Sequence, residues 1–284
     1  MLKVDFKRLF ISRTFYIILA ACLVAPILIT VMTTMMDGSV SVNPQTGEES
    51  VIEGFDNAWQ IIGSVSGGDS AASGNENGTE ADTEAGSEGG NETDTDGAAG
   101  GMAGMDMGLT TMCNINMLYF GIAALVCIFV SEDFISGYSK NLFTVRAKKT
   151  DYVASKTVVL IIGAMMMILA FIIGSVIGGA VSGLSFEMVG FDAFNLVMCF
   201  LSKLVLVSIF VPIYLVMSVV AKNKVWLSLI LSFMVGMFLF MMIPMLTPLN
   251  ATVGHVLICA VGGFGFSIGL GAISNQILKK TSLV

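Results

Sequence analysis

Six stretches of about twenty apolar residues, joined by short polar connections, restrict this chain more than any other feature. They cover residues 15–36, 112–131, 157–181, 204–221, 225–246 and 256–278. A helix of about 20 residues crosses the ~30 Å hydrocarbon core of a bilayer, where each backbone N–H and C=O must be bonded within the segment. The pattern predicts an all-α membrane protein with six transmembrane helices. Composition agrees, since only 12% of the residues are charged against roughly 25% in soluble domains.

Lysine and arginine in the connections set the expected orientation. The segment before the first span carries Lys3, Lys7, Arg8 and Arg13. The second connection carries Lys140, Arg146, Lys148, Lys149 and Lys156, the fourth Lys222 and Lys224, and the tail Lys279 and Lys280. That puts 13 of the 14 bases on one side, so both termini are expected in the cytoplasm. Lys203 is the exception; near the outer end of the fourth span it is expected to snorkel to the interface. His255, beside the outer end of the last span, reads as an interfacial residue.

Residues 1–14 form a candidate interfacial helix, with Leu2, Phe6, Leu9 and Phe10 on one face and Lys3, Lys7 and Arg8 elsewhere. Leu19-Ala20-Ala21-Cys22 imitates a lipoprotein cleavage box. The apolar run continues well past the cysteine, however, which favours an uncleaved span. Residues 37–111 are expected as a long extracytoplasmic loop, acidic and largely disordered. Residues 37–112 hold 15 of the 21 acids and no Lys or Arg, and the Gly/Ser/Thr/Asn-rich run over 64–100 has too little apolar area to offset its ordering entropy. Ahead of that run, Phe55, Trp59 and Ile62 fall at helical spacing and predict a short helix on the outer face.

Metal chemistry has little to rest on. Asp94-Thr95-Asp96-Gly97 lacks the closing ligands of a calcium loop. Met102, Met105 and Met107 form a weak candidate for Cu(I), a soft cation, in a chain with 20 methionines. The five cysteines lie in or beside apolar runs without C-x-x-C spacing and read as small buried residues. No metal site is expected.

The longest basic connection, 132–156, carries the pattern of most consequence. Phe134, Tyr138, Leu142 and Val145 recur at i, i+4, i+8 and i+11, which predicts a short amphipathic helix with acids first and bases last. Glu132, Gly137, Lys140-Asn141-Leu142, Arg146, Tyr152 and Lys156 follow one another in an order that resembles the second-to-third-span connection of type-2 ABC permeases. These are the membrane subunits of ATP-driven exporters. The family commonly has a Pro before the Arg, where this chain has Val145. The resemblance extends to six spans with both ends inside and to an N-terminal amphipathic helix like the family's elbow helix. Among relatives, exporters of amphipathic peptides such as the phenol-soluble modulins have similar size and loop placement.

The resemblance implies that Glu132, Phe134, Gly137, Tyr138, Lys140, Asn141, Leu142 and Arg146 couple the permease to an ATPase. It also implies two ABC ATPase subunits as partners, with ATP and Mg bound on them, and a second permease copy, expected to form a homodimer. This chain itself would be no enzyme, and membrane lipids but no nucleic acid would be its other partners. The sequence has no G-x-x-x-x-G-K-[ST] segment to cradle phosphates, so ATP hydrolysis is expected on a separate polypeptide. Gly174-x-x-x-Gly178, Gly179-x-x-x-Gly183 and Gly265-x-x-x-Gly269 are candidate close-packing stripes, and Pro212 and Pro244 candidate kinks. The remaining wall of Met, Phe, Leu and Val suits a hydrophobic or amphipathic cargo. A six-span immunity or sensor protein, or a channel, is the alternative reading.

Overall fold

The computed structural model describes residues 2–42, 49–51, 54–64, 114–144, 149–221, 224–240 and 242–280. Helices dominate: α1 (Leu2–Ile11), α2 (Arg13–Met36), α3 (Leu118–Ile135), α4 (Tyr138–Thr144), α5 (Lys149–Val181), α6 (Ala193–Ala221), α7 (Val225–Phe240), α8 (Met242–Leu246) and α9 (Val253–Lys280). A three-residue antiparallel ribbon pairs β1 (Val40–Val42) with β2 (Glu49–Val51). Single 3-10 turns occur at Ala58–Ile61 and Ile115–Met117. Among the described residues, five helices are long and apolar enough to cross a membrane. α7, with 16 residues, is about 24 Å long and falls short of the hydrocarbon thickness by itself.

α3, α5 and α6 make the core, while α2 and α9 lie at the periphery with most of their surface outward. The outward residues are large and apolar, with Phe238 81% and Val261 73% exposed. Such a surface is untenable in water but is solvated by lipid tails. The chain is a helical membrane protein.

Inside a bilayer there is no hydrophobic drive between helices, so small residues and interhelical hydrogen bonds decide the packing. A Cβ on Gly174 would strike the Leu23 carbonyl oxygen, and one on Gly178 the Thr30 hydroxyl; the first of the expected glycine stripes is where α2 lies against α5. Gly265 and Gly269, by contrast, have no atom within 4 Å of an added Cβ. The close approach of α9 to α6 is made by Gly263 against Ser208. Two residues turn a helix by about 200°, so the 265/269 pair points away from that contact. α7 buries only Ser228, Ser232 and Gly236, one small residue per turn. The Ser228 hydroxyl donates to Ser218 Oγ at 2.9 Å, and Cys127 Sγ lies 3.3 Å from Ser232 Oγ.

Pro26 and Pro212 sit within α2 and α6. Thr30 Oγ1 donates to the Pro26 carbonyl at 2.8 Å. At the end of the bundle away from α1, residues 54–64 lie over the α5–α6 loop. Ala58 N–H donates to the Ser185 carbonyl at 3.0 Å, Trp59 Nε1 to the Phe186 carbonyl at 3.2 Å, and Leu249 N–H to the Ser64 carbonyl at 2.9 Å. Phe55, Ile61 and Ile62 are the buried side chains of this segment. The expected helix is a single 3-10 turn, anchored by those hydrogen bonds.

Candidate functional site: a buried charge network

The densest chemistry lies where α1, the last turn of α3, α4 and the first turns of α5 meet. Asp5 of α1 and Asp133 of α3 are buried, as is Lys156 of α5. Lys156 Nζ lies 2.7 Å from Asp133 Oδ2 and 3.0 Å from Asp5 Oδ1, and Arg8 Nη1 lies 2.7 Å from Asp133 Oδ1. Tyr152 donates its hydroxyl to Asp133 Oδ2 at 2.9 Å, and Ser155 donates to Asp5 Oδ2 at 2.5 Å. Aromatic faces complete the shell. Lys156 Nζ sits 4.2 Å from the Phe129 ring centroid, and the Arg8 guanidinium 4.1 Å from that of Tyr138.

Two acids and two bases make a set with no net charge, which is the condition under which buried charges persist. The sequence builds it by helical spacing. Asp5 and Leu9, four apart, face inward on α1. Tyr152, Ser155 and Lys156 share a face of α5 in the same way. Burial works against the Arg8 charge, but the charge and hydrogen bond of Asp133, with Tyr138 and Asp5 adding to them, together outweigh it and the guanidinium is held above its ordinary range. Burial likewise pushes the Tyr138 phenol up, with Asp5 and Asp133 adding to the shift while Arg8 opposes it.

The expected coupling residues divide sharply. Glu132 is exposed, whereas its neighbour Asp133, not singled out from the sequence, takes the charge contacts. Phe134 is buried in the last turn of α3. Gly137 has φ +71°, the left-handed conformation that ends one helix and lets the next begin. The expected continuous stripe is therefore broken at Gly137, and α4 starts at Tyr138. Leu142 and Phe143 pack against the chain's own core, and Tyr138 lies under Arg8. The outward surface here is Glu132, Ile135, Ser136, Asn141 and Thr144. Lys140 lies in α4, while Val145 and Arg146 fall outside the described residues, as do Met102, Met105, Met107 and the run Asp94–Gly97. Among the described residues no group of His, Cys, Asp and Glu could hold a metal ion. Cys22, Cys127, Cys199 and Cys259 are buried thiols.

Lys203 is a second departure from expectation. It does not reach an interface but is fully buried in α6. Its Nζ lies 2.9 Å from Thr247 Oγ1 and 3.4 Å from Asn116 Oδ1, and its carbonyl accepts the Tyr119 hydroxyl at 3.0 Å. His255 Nδ1 accepts from the Thr252 N–H at 3.2 Å at the start of α9.

Signals for the missed network are present in the sequence. Asp5 is the one acid in a segment of four bases, and Asp133 and Lys156 flank consecutive apolar stretches at the same end. Comparison with family models, with curated proteins and with solved structures finds no match to this chain. What the fold and the site define is a helical membrane protein whose N-terminal helix is joined to the bundle by buried ion pairs.

Proposed function

We propose that this chain is the transmembrane permease subunit of an ATP-driven ABC exporter of the bacterial plasma membrane. In this reading it has six spans, α7 and α8 together supplying the fifth, and both termini are cytoplasmic. A hydrophobic or amphipathic cargo, such as a peptide, crosses between two copies. ATP and Mg are handled by two separate ATPase subunits. The supporting observation is the seat of α4, a short helix beyond the span α3, joined through Arg8 and Asp133 to α1, α3 and α5 at once. A push on α4 is thereby transmitted to two long helices as a rigid unit rather than lost in a flexible connection.

The face available to an ATPase is the outward one. Ile135, 61% exposed, is its apolar anchor at the end of α3, and Asn141 and Thr144 are exposed on α4. The test is co-expression with an ATPase subunit encoded beside the chain, followed by pull-down and ATP turnover in nanodiscs. Ile135→Glu places a charge in the docking cleft and is expected to weaken co-purification at least about thirtyfold, the effect of losing one well-buried anchor. Insertion and thermal stability should remain normal, because Ile135 packs little within the chain. Wild-type association of Ile135→Glu and Asn141→Ala together would overturn the coupling assignment and favour a membrane protein without ATP-driven transport.

A further inference from the structure

A cleft of about 720 Å³ opens between the outer face of α1 and the α1–α2 junction, reaching the end of α3. Lys3, Lys7 and Arg8 line it together with the apolar Val4 and Ile11, and Glu132 of α3 lines it as well. We propose that this cleft binds the phosphodiester headgroup of an anionic phospholipid. The inference needs the membrane setting but not the exporter reading.

Three observations carry it. First, α1 is held in one orientation, because Asp5 and Leu9 are buried and Asp5 is fixed to Lys156 and Ser155. Lys3, Val4, Lys7 and Ile11 are consequently presented outward as a set, and Val4 and Ile11 keep half or more of their surface exposed. Second, the apolar α2 begins two residues after α1 ends, so the cleft lies at the level where headgroups meet acyl chains. Its apolar residues suit the glycerol and first methylenes of a lipid, and its lysines suit the phosphate. Third, the charges balance for a monoanion. Arg8 is already answered by Asp133 at 2.7 Å, and Glu132 offsets one of the two lysines. The cleft retains about one positive charge, which one phosphodiester neutralises. A choline headgroup would bring its own cation and restore the imbalance.

The experiment uses the full-length protein, purified and delipidated, and titrated with phosphatidylglycerol and phosphatidylcholine of the same acyl chains. Binding is read by native mass spectrometry. Each lysine near an anionic headgroup contributes about fivefold, so Lys3→Gln/Lys7→Gln should lower phosphatidylglycerol affinity about thirtyfold. Phosphatidylcholine binding should be unchanged. Lys3→Arg/Lys7→Arg should restore the preference, and Lys279→Gln, a charge outside the cleft, should leave it as in wild type. Both lysines are exposed, and an unaltered unfolding midpoint of the glutamine variant checks that the fold is intact. Wild-type phosphatidylglycerol affinity in that variant overturns the proposal, as does an equal loss in Lys279→Gln. Displacement by inorganic phosphate at equal concentration would assign the cleft to a free anion instead. Intact lipid preference with loss of a bound protein partner would assign it to that partner, and either result overturns the lipid site.

Discussion

Asp133→Asn removes one negative charge from the network with almost no change of shape, so its effect isolates electrostatics from packing. In the native set Asp133 meets Arg8 and Lys156, each at 2.7 Å, and Tyr152 at 2.9 Å. The two cations fare differently once it is gone. The Arg8 side chain is 31% exposed and can turn toward water, so its share is that of a partly exposed pair, ~0–1 kcal/mol. Lys156 has no exposed surface and would keep Asp5, at 3.0 Å, as its remaining carboxylate. Removing one partner of a buried pair typically costs ~3–5 kcal/mol, and the surviving contact to Asp5 places the expectation near the lower value. A loss of ~3 kcal/mol corresponds to a fall of roughly 6–12 °C in the unfolding midpoint. The assay is thermal unfolding of the purified protein, followed by fluorescence of Trp59 and Trp226. Replacing both partners by apolar groups, as in Asp133→Leu/Lys156→Met, should recover most of the loss, since Asp5 and Arg8 remain as complementary charges. Glu132→Gln, one residue away but exposed, should leave the midpoint unchanged. If Asp133→Asn behaves like Glu132→Gln, the charge network contributes nothing and the reasoning fails.

Other contacts give predictions in the same assay. Gly174→Ala pushes a methyl group into the Leu23 carbonyl and should cost ~1–3 kcal/mol, whereas Gly265→Ala, facing open space, should cost nothing measurable; equal midpoints would refute the α2–α5 approach. Gly137→Ala meets no steric neighbour, so its expected cost of ~1–2 kcal/mol comes only from the left-handed backbone. An unaltered midpoint would show that the α3–α4 turn relaxes without strain. Lys203→Met removes a buried ammonium that has only neutral acceptors among the described residues, and should hold or raise the midpoint. A fall would mean that the contacts to Thr247 and Asn116 outweigh the cost of burying the charge.

How much of this was legible in the sequence depends on how a charge is read. Hydropathy treats a charged residue as the end of a span, which is sound when the group faces lipid or can reach the interface. By that rule the second stretch stops at Ser131, the third starts at Thr157 and the fourth starts at Leu204. In the structure α3 runs on through Asp133 to Ile135, α5 begins at Lys149 and α6 at Ala193. Near each of these boundaries a charge, Asp133, Lys156 or Lys203, is buried and paired or hydrogen-bonded within the bundle, and nothing in a linear pattern reports a partner on another helix. Stretches whose ends carry no such group fare better, and the first and third stretches end where α2 and α5 end, at Met36 and Val181.

The same distinction explains the segment 132–146. Period 3–4 spacing joins Phe134, Tyr138, Leu142 and Val145 into one stripe and so predicts an apolar face free to seat a partner. That stripe assumes one continuous helix. Gly137 breaks it, and the turn swings Leu142 and Phe143 back onto the bundle while Tyr138 slides beneath Arg8. An amphipathic pattern says that a helix has an apolar face; it does not say whether that face is spent on the chain's own core. Here it is spent inward, so a partner docking at this end must recognise the complementary surface around Ile135 and Asn141. The inward residues would then act on that partner only through the rigidity they give to α4.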